Sequence, residues 1–343
     1  MNGRYSFIDG LRGLAAFAVV MFHALRGNHV DFVPREFAHI ATLGEGGVAI
    51  FFVISGFVIM HSISKAPITP RFLVYFMLRR SIRLDPPYWV AILLAVGFSV
   101  LASAVVVGRP DPEFSVGQLI AHLFYAQEIL GYTHLNPVFW TLCYEIQFYV
   151  VLALVLVTRS TSVLLITFCL SLLWPLGLVP EFRGVFVNLF YAFLLGVGVH
   201  FAWCFPRTRP LFLAYTAVLL VASFLHSNLF ALISSATALI LASAAIKGRL
   251  HNTLNWRWLQ FLGMISYSLY LTHNPITGAT FRVWYMIAGR SVAAQASGLL
   301  LATVTCVTFA WVMYRVIERP CIALARSASR GRIASEPLPP VRI

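Results

Sequence analysis

Of 343 residues, 59% are hydrophobic and only 11% charged, and the mean hydropathy is +0.82, far above that of an ordinary soluble domain. The net charge of +13 does not imply nucleic acid, because the basic residues are dispersed between apolar runs rather than gathered into one patch. The five cysteines show no CxxC spacing, so they suggest neither a disulfide framework nor a metal site, and the chain reads as an integral membrane protein.

Roughly 20 apolar residues in helical form cross the hydrocarbon core of a bilayer. Runs of suitable length lie near 7–25, 46–64, 88–107, 138–158, 161–178, 185–204, 210–226, 228–246, 258–279 and 293–316. The first, FIDGLRGLAAFAVVMFHAL, has no small-residue cleavage site after it and is expected to be a retained span. A further apolar stretch at 117–130 is short and contains Gln118, His122, Gln127 and Glu128, which suits an interfacial or re-entrant helix. Charge distribution supports that choice. With ten spans and a cytoplasmic N-terminus, 19 Lys and Arg residues fall inside and 6 outside. If 117–130 also crossed, the split would become 10 inside and 15 outside.

The expected fold is therefore all-α: a polytopic transmembrane helix bundle of about ten spanning helices plus one short interfacial or re-entrant helix, both termini cytoplasmic. Residues 1–326 form the membrane domain. Residues 327–343, SASRGRIASEPLPPVRI, have little to bury and are expected to form a disordered cytoplasmic tail.

Ionisable groups within apolar spans cost several kcal/mol, about 2.5 to 3.5 on insertion scales, and usually persist for function. Arg12 lies at the cytoplasmic start of span one. The segment LRRSIRLDPPYW (78–89) places Arg80 and Arg83 three apart on one helical face, where two guanidiniums can converge on a polyanion. Arg79 alone is better read as a positive-inside anchor, and Pro86 and Pro87 are expected to stop this helix. Toward the outer face lie His23, Glu145 and His273. For His273, a satisfied interfacial histidine is an equally good reading. Glu145 needs a partner at its depth, and His23 lies at a compatible one, where a carboxylate would orient the imidazole as a general base. Arg12 and His23 differ in height by roughly 16 Å along an ideal helix, an interval a long polyanionic donor could span.

The ordered series FIDGLRGLAAFAVVMFH, GGVAIFFVISGFVI, RRSIRLDPPYW, FWTLCYEIQFY, FLGMISYSLYLTHNPI and VIERP resembles the acyltransferase-3 family of integral membrane O-acyltransferases, which acylate exopolysaccharide, O-antigen, Nod-factor and macrolide sugars in bacteria. The resemblance covers nearly the whole chain. It matches the family's Arg-X10-His to Arg12 and His23, its Arg-X-X-Arg to Arg80 and Arg83, and its glutamate to Glu145. It implies a multi-pass protein of the bacterial inner membrane with no permanently bound cofactor. Acyl-CoA, usually acetyl-CoA, would be the co-substrate, held through its phosphates by Arg12, Arg80 and Arg83. The acceptor would be a sugar hydroxyl of an extracytoplasmic or lipid-linked glycan. His23 would be the base, oriented by Glu145, with His273 or Tyr267 stabilising the oxyanion or positioning the acceptor. Other implied partners are membrane lipids and glycan-assembly proteins.

One departure is Ala49, which follows Gly47 and Val48 where the family often has an acid; either that acid is dispensable or Glu45 or Glu145 covers its role. Two other function classes share these features: a transporter, which would be expected to show inverted repeats and paired broken helices, and a non-catalytic member of a glycan-assembly complex. No such repeat is evident in the sequence.

Overall fold

The structure is a computed structural model and describes residues 5–27, 29–31, 44, 46–64, 69–105 and 110–333. The apolar runs fold into α1 (Ser6–Arg26), α2 (Gly46–Ile63), α3 (Pro70–Val105), α4 (Val116–Leu123), α5 (Trp140–Val157) and α6 (Thr161–Ser171). They continue with α7 (Phe190–Cys204), α8 (Arg209–Leu225), α9 (Leu229–Ile246), α10 (Arg257–Ala288), α11 (Val292–Met313) and α12 (Arg319–Ile333). No strand occurs among the described residues. The all-α expectation holds for a simple reason: helices satisfy every backbone donor and acceptor within the segment, as hydrocarbon requires.

Among the described residues, eight helical stretches are long and apolar enough to cross a membrane: α1, α2, α3, α5, α7, α8, α9 and the run from α11 into α12. The chain is thus a multi-pass membrane protein. The other two of the ten expected spans correspond to α6 and α10. With 11 residues, α6 is too short to cross as a straight helix. The 32 residues of α10 are long enough, but Gln260, Ser266, Ser268, Thr272 and His273 interrupt their apolar character.

Helix α4, within the stretch read as interfacial or re-entrant, is indeed short, with 8 residues capped by Ser115, whose side chain accepts from the Gln118 amide. Its polar residues are buried and used: Gln118 donates to Thr133, and His122 bridges the Gln118 carbonyl (2.8 Å) and the Leu135 amide (3.1 Å).

Helix α3 departs from expectation. Its 36 residues run unbroken through Pro86 and Pro87, so those prolines do not stop it, and it extends roughly 54 Å at 1.5 Å per residue. Neither proline nitrogen can donate, which deprives the carbonyls of Ile82 and Arg83 of their helical partners. Neighbouring groups bond the same turn: Tyr267 donates to the Leu84 carbonyl (2.9 Å), and Ser81 donates to Asp85. Neither bond is to the Ile82 or Arg83 carbonyl, so they brace the turn without replacing the two lost helical bonds.

Two interfaces fix the helices that carry the site. Helix α1 lies against α10 in near backbone contact, because a Cβ on Gly263 would fall 2.0 Å from the Asp9 carbonyl oxygen and one on Gly13 2.7 Å from that of Leu259. Such close approach gives membrane helices their packing where no hydrophobic drive separates helix from lipid. The start of α1 is pinned as well, with the Phe7 amide donating to the Leu250 carbonyl (3.0 Å) and Gln260 to that of Ser6 (2.7 Å). Behind α2, the rings of Phe52, Phe193 and Phe148 stack at 4.1 and 4.3 Å, tying α2, α7 and α5 into the core.

Between α11 and α12, Tyr314–Glu318 form one turn of π-helix. Helix α12 then continues to Ile333, so the first residues of the segment expected to be disordered are helical, and residues 334–343 lie outside the described residues.

Candidate active site

The three arginines singled out by sequence converge. Arg12 comes from α1, and Arg80 and Arg83 from successive turns of α3, whose i, i+3 spacing puts them on one face. All three line two adjoining cavities. The first is a basin of ≈ 540 Å³ at the end of the bundle where α1 begins, which Asp9, Arg79, Glu318 and Arg319 also line. The second is a smaller chamber of ≈ 90 Å³ deeper in the bundle, where Ser55, Thr141, Glu145, Tyr267 and Tyr270 join the arginines. The guanidiniums therefore stand at the neck common to both.

Nε of Arg80 and Nε of Arg83 are buried without a hydrogen-bond partner among the described residues. A buried donor left unsatisfied costs about 1–3 kcal/mol, more if charged, so the neck is suited to an anion that supplies acceptors. The Arg80 guanidinium also lies 4.7 Å from the centroid of the Tyr149 ring, which holds it over an aromatic face.

Glu145 lines the chamber, but its expected partner is not the one it bonds. Its Oε1 accepts from Ser55 Oγ on α2 (2.8 Å) and from Tyr149 one helical turn further along α5. His23 instead bonds His273: its Nδ1 lies 3.2 Å from His273 Nε2, and the rings are 4.9 Å apart between centroids. The pairing of Glu145 with His23 is thus replaced by two separate contacts. Depth along the bundle was compatible, but the azimuth of each side chain on its helix decided the partner.

The histidine pair has a definite proton arrangement. His273 is fully buried, and its Nδ1 lies 2.9 Å from the Tyr270 carbonyl and 3.1 Å from that of Leu269. Carbonyls only accept, so this nitrogen carries the hydrogen and His273 Nε2 carries a lone pair. His23 Nδ1 is then the donor, its one hydrogen shared between the Val19 carbonyl (3.0 Å) and His273 Nε2 (3.2 Å). In the neutral form this leaves the lone pair of His23 on Nε2. The arrangement is assigned from the hydrogen-bond network, and it makes His23 Nε2 the basic nitrogen of the pair.

Tyr270 joins chamber to histidines. Its hydroxyl lies 2.8 Å from Thr141 Oγ1 on the chamber wall, and its ring is 6.0 Å from that of His273. Tyr267 lines the same chamber one turn earlier on α10. Ala49, where the family often has an acid, is fully buried and does not line the chamber; Glu45 lies outside the described residues.

Sequence reasoning missed Ser55, Tyr149 and Glu318. The i, i+4 spacing of Glu145 and Tyr149 was available as a signal; the contact of Ser55 with Glu145, from another helix, was not. Glu318 is buried in the π-helical turn and accepts from the Ser268 hydroxyl (2.6 Å) and amide (3.2 Å), on the α10 segment that precedes His273. No group of three or more His, Cys, Asp or Glu that could hold a metal occurs among the described residues.

The acyltransferase domain of the acyltransferase-3 family matches residues 5–315. The chain belongs to that family. This membrane acyltransferase is 28% identical to a Komagataeibacter xylinus protein named as the membrane-bound transacylase BcsY, over 91% of the chain and 81% of the relative. It is also 28% identical to the exopolysaccharide production protein ExoZ of Rhizobium meliloti, over 90% of the chain and 96% of that protein. A Bacillus subtilis protein named as the peptidoglycan O-acetyltransferase YrhL is 26% identical over 92% of the chain, which spans 55% of that relative's length. No solved structure matches the acyltransferase.

Proposed function

We propose that this acyltransferase moves an acyl group, most simply acetyl, from acyl-CoA at the cytoplasmic face of the bacterial inner membrane to a sugar hydroxyl of an extracytoplasmic or lipid-linked glycan. The observation that carries the reading is the arginine neck. Arg12, Arg80 and Arg83 stand between a wide basin and a narrow chamber, and Arg80 and Arg83 present buried Nε donors without a partner among the described residues, which suits a polyanion with a thin arm such as CoA. The relatives named for transacylase, exopolysaccharide and O-acetyltransferase roles favour a glycan acceptor. The positive-inside bias favours ten spans, with the basin facing the cytoplasm.

In the reaction, His23 Nε2 takes the proton of the sugar hydroxyl as its oxygen attacks the thioester carbonyl. The carbon–sulfur bond then breaks, and the CoA thiolate takes the proton back, leaving ester, CoA thiol and neutral His23. His273 accepts from His23 Nδ1 and so holds the ring and stabilises the transient imidazolium. Glu145 holds Tyr149 beneath Arg80 and thereby steadies the neck, while Tyr267 and Tyr270 offer hydroxyls within the chamber. Base catalysis of this kind contributes about 10² to 10⁴-fold.

The test is acceptor-dependent release of CoA thiol from acetyl-CoA by the purified protein in nanodiscs, with the ester on the sugar read by mass spectrometry. His23→Ala is expected to abolish both. Full activity of a folded His23→Ala protein would refute its role as base, and sugar movement without thiol release would favour transport.

A further inference from the structure

The cavity that the proposed reaction leaves unused lies at the other end of the seam between α3 and α10. The chamber is lined by Arg83 and Leu84 on α3 and by Tyr267 and Tyr270 on α10. Further along the same two helix faces, at i+3 and i+4 steps, Phe98, Ser99 and Ala102 face Asn274, Gly278 and Arg282 across a groove of ≈ 360 Å³. Buried Tyr88, Ala91 and Ile92 close the seam between them.

The groove is chemically graded. Its inner end is polar: Asn136 is buried, its amide donating to the Leu271 carbonyl and accepting from the Val138 amide with one N–H and one lone pair left over, and Asn274, half-buried, makes no side-chain hydrogen bond to another described residue. Asn274 is one residue after His273 and one helical turn, roughly 6 Å, beyond Tyr270. About 12 Å further along α10 stands Arg282, exposed and without an ion pair among the described residues. The walls beside it, Leu101, Val105, Val283 and Met286, are 53–66% exposed to the membrane side.

We infer that this groove is the acceptor site and that its occupant is a lipid-phosphate-linked glycan of the outer leaflet. This rests on the acyl-transfer reading. The hydrocarbon chain lies against the apolar walls, the phosphate meets Arg282, and sugar hydroxyls reach Asn274 and Asn136. An ordinary phospholipid would satisfy Arg282 and the walls, but it brings few hydroxyls to the amides at the inner end. Donor and acceptor thus enter one interhelical seam from opposite ends.

The floor supplies a clean perturbation. A Cβ on Gly278 meets nothing within 4 Å, so Gly278→Leu enters the groove from an unobstructed Cβ, and replacing glycine favours helix. Binding of a prenyl phosphate disaccharide to the full chain in nanodiscs is measured by native mass spectrometry, against the free disaccharide and a bulk phosphatidylglycerol. Acyl transfer from acetyl-CoA to each sugar is measured in parallel. The wild type is expected to bind and acylate the lipid-linked form at least tenfold better than the free sugar. Gly278→Leu and Arg282→Gln should each remove most of that preference while leaving the KM for acetyl-CoA unchanged. Retention of the preference by both variants overturns the groove assignment, as does equal binding of phosphatidylglycerol. Absence of acyl transfer to either sugar in the wild type, with lipid-linked sugar bound and displaced by Gly278→Leu, overturns the acyl-transfer reading instead and leaves the groove as a glycolipid site.

Discussion

Replacing His273 by Phe removes one of the two acceptors that His23 Nδ1 faces, leaving the Val19 carbonyl, while keeping an aromatic of similar size in a fully buried position. In the resting enzyme that contact is a neutral hydrogen bond at 3.2 Å, worth about 0.5–1.5 kcal/mol. Once His23 has taken a proton, the same contact becomes charge-assisted and is worth about 1.5–3 kcal/mol. The difference acts only on the charged state, so it enters kcat. A loss of about 1–2 kcal/mol in that state corresponds to a fall of roughly 5- to 30-fold. The KM for acyl-CoA should not move, because His273 lines neither the basin nor the chamber. Steady-state thiol release at varied acetyl-CoA and saturating acceptor measures both constants. His273→Gln, which offers an amide oxygen, should recover part of the loss. A folded His273→Phe enzyme with unchanged kcat, or one whose defect lies wholly in KM, would refute the role assigned to the histidine pair.

Other substitutions probe other parts of the same argument. Arg83→Lys keeps the charge but loses the bidentate fork, and should raise the KM for acyl-CoA about 10-fold or more with a smaller change in kcat, as read by the same kinetics. Gly263→Ala drives a Cβ to 2.0 Å from the Asp9 carbonyl; the expected cost is about 1–3 kcal/mol, visible as a lower unfolding temperature in detergent. His122, outside the spanning helices, has its pKa lowered below 6.5, first by burial and then by His134, against the opposing hydrogen bond to Gln118. A depressed histidine contributes stability that is full above its unfolded pKa of about 6.5 and is lost as pH falls through its folded value. Acidification below pH ~6.5 should therefore lower the protection factor for hydrogen exchange at the Leu135 amide, which donates to His122 Nε2, and His122→Asn should flatten that dependence.

The fold class was legible because ten apolar runs leave a chain little choice but helices, and the arginine neck was legible because charge bias and an i, i+3 spacing both act locally. What failed was azimuthal. Depth made His23 and Glu145 plausible partners, yet each side chain turns to a different neighbour, His273 and Ser55, contributed by helices about 250 and 90 residues away in sequence. His273 was undervalued because a single histidine on an apolar face carries no local sign of a second one opposite it. Pro86 and Pro87 misled because their rule belongs to helices in water, where a broken turn can be hydrated; in hydrocarbon the remaining backbone groups have no better partners than the helix, and α3 continues. Glu318 was visible only as part of a motif, and its contact with Ser268 depends on the π-helical turn that rotates it inward.

The neck has one more consequence. A protein open to substrates from both sides of a membrane risks becoming a leak for protons and metal cations. Three guanidiniums lining both basin and chamber place a positive barrier where the two adjoin, the device by which selective pores turn cations away. The same charges that would draw in an anionic donor would therefore oppose the entry of protons and metal cations from the basin into the bundle.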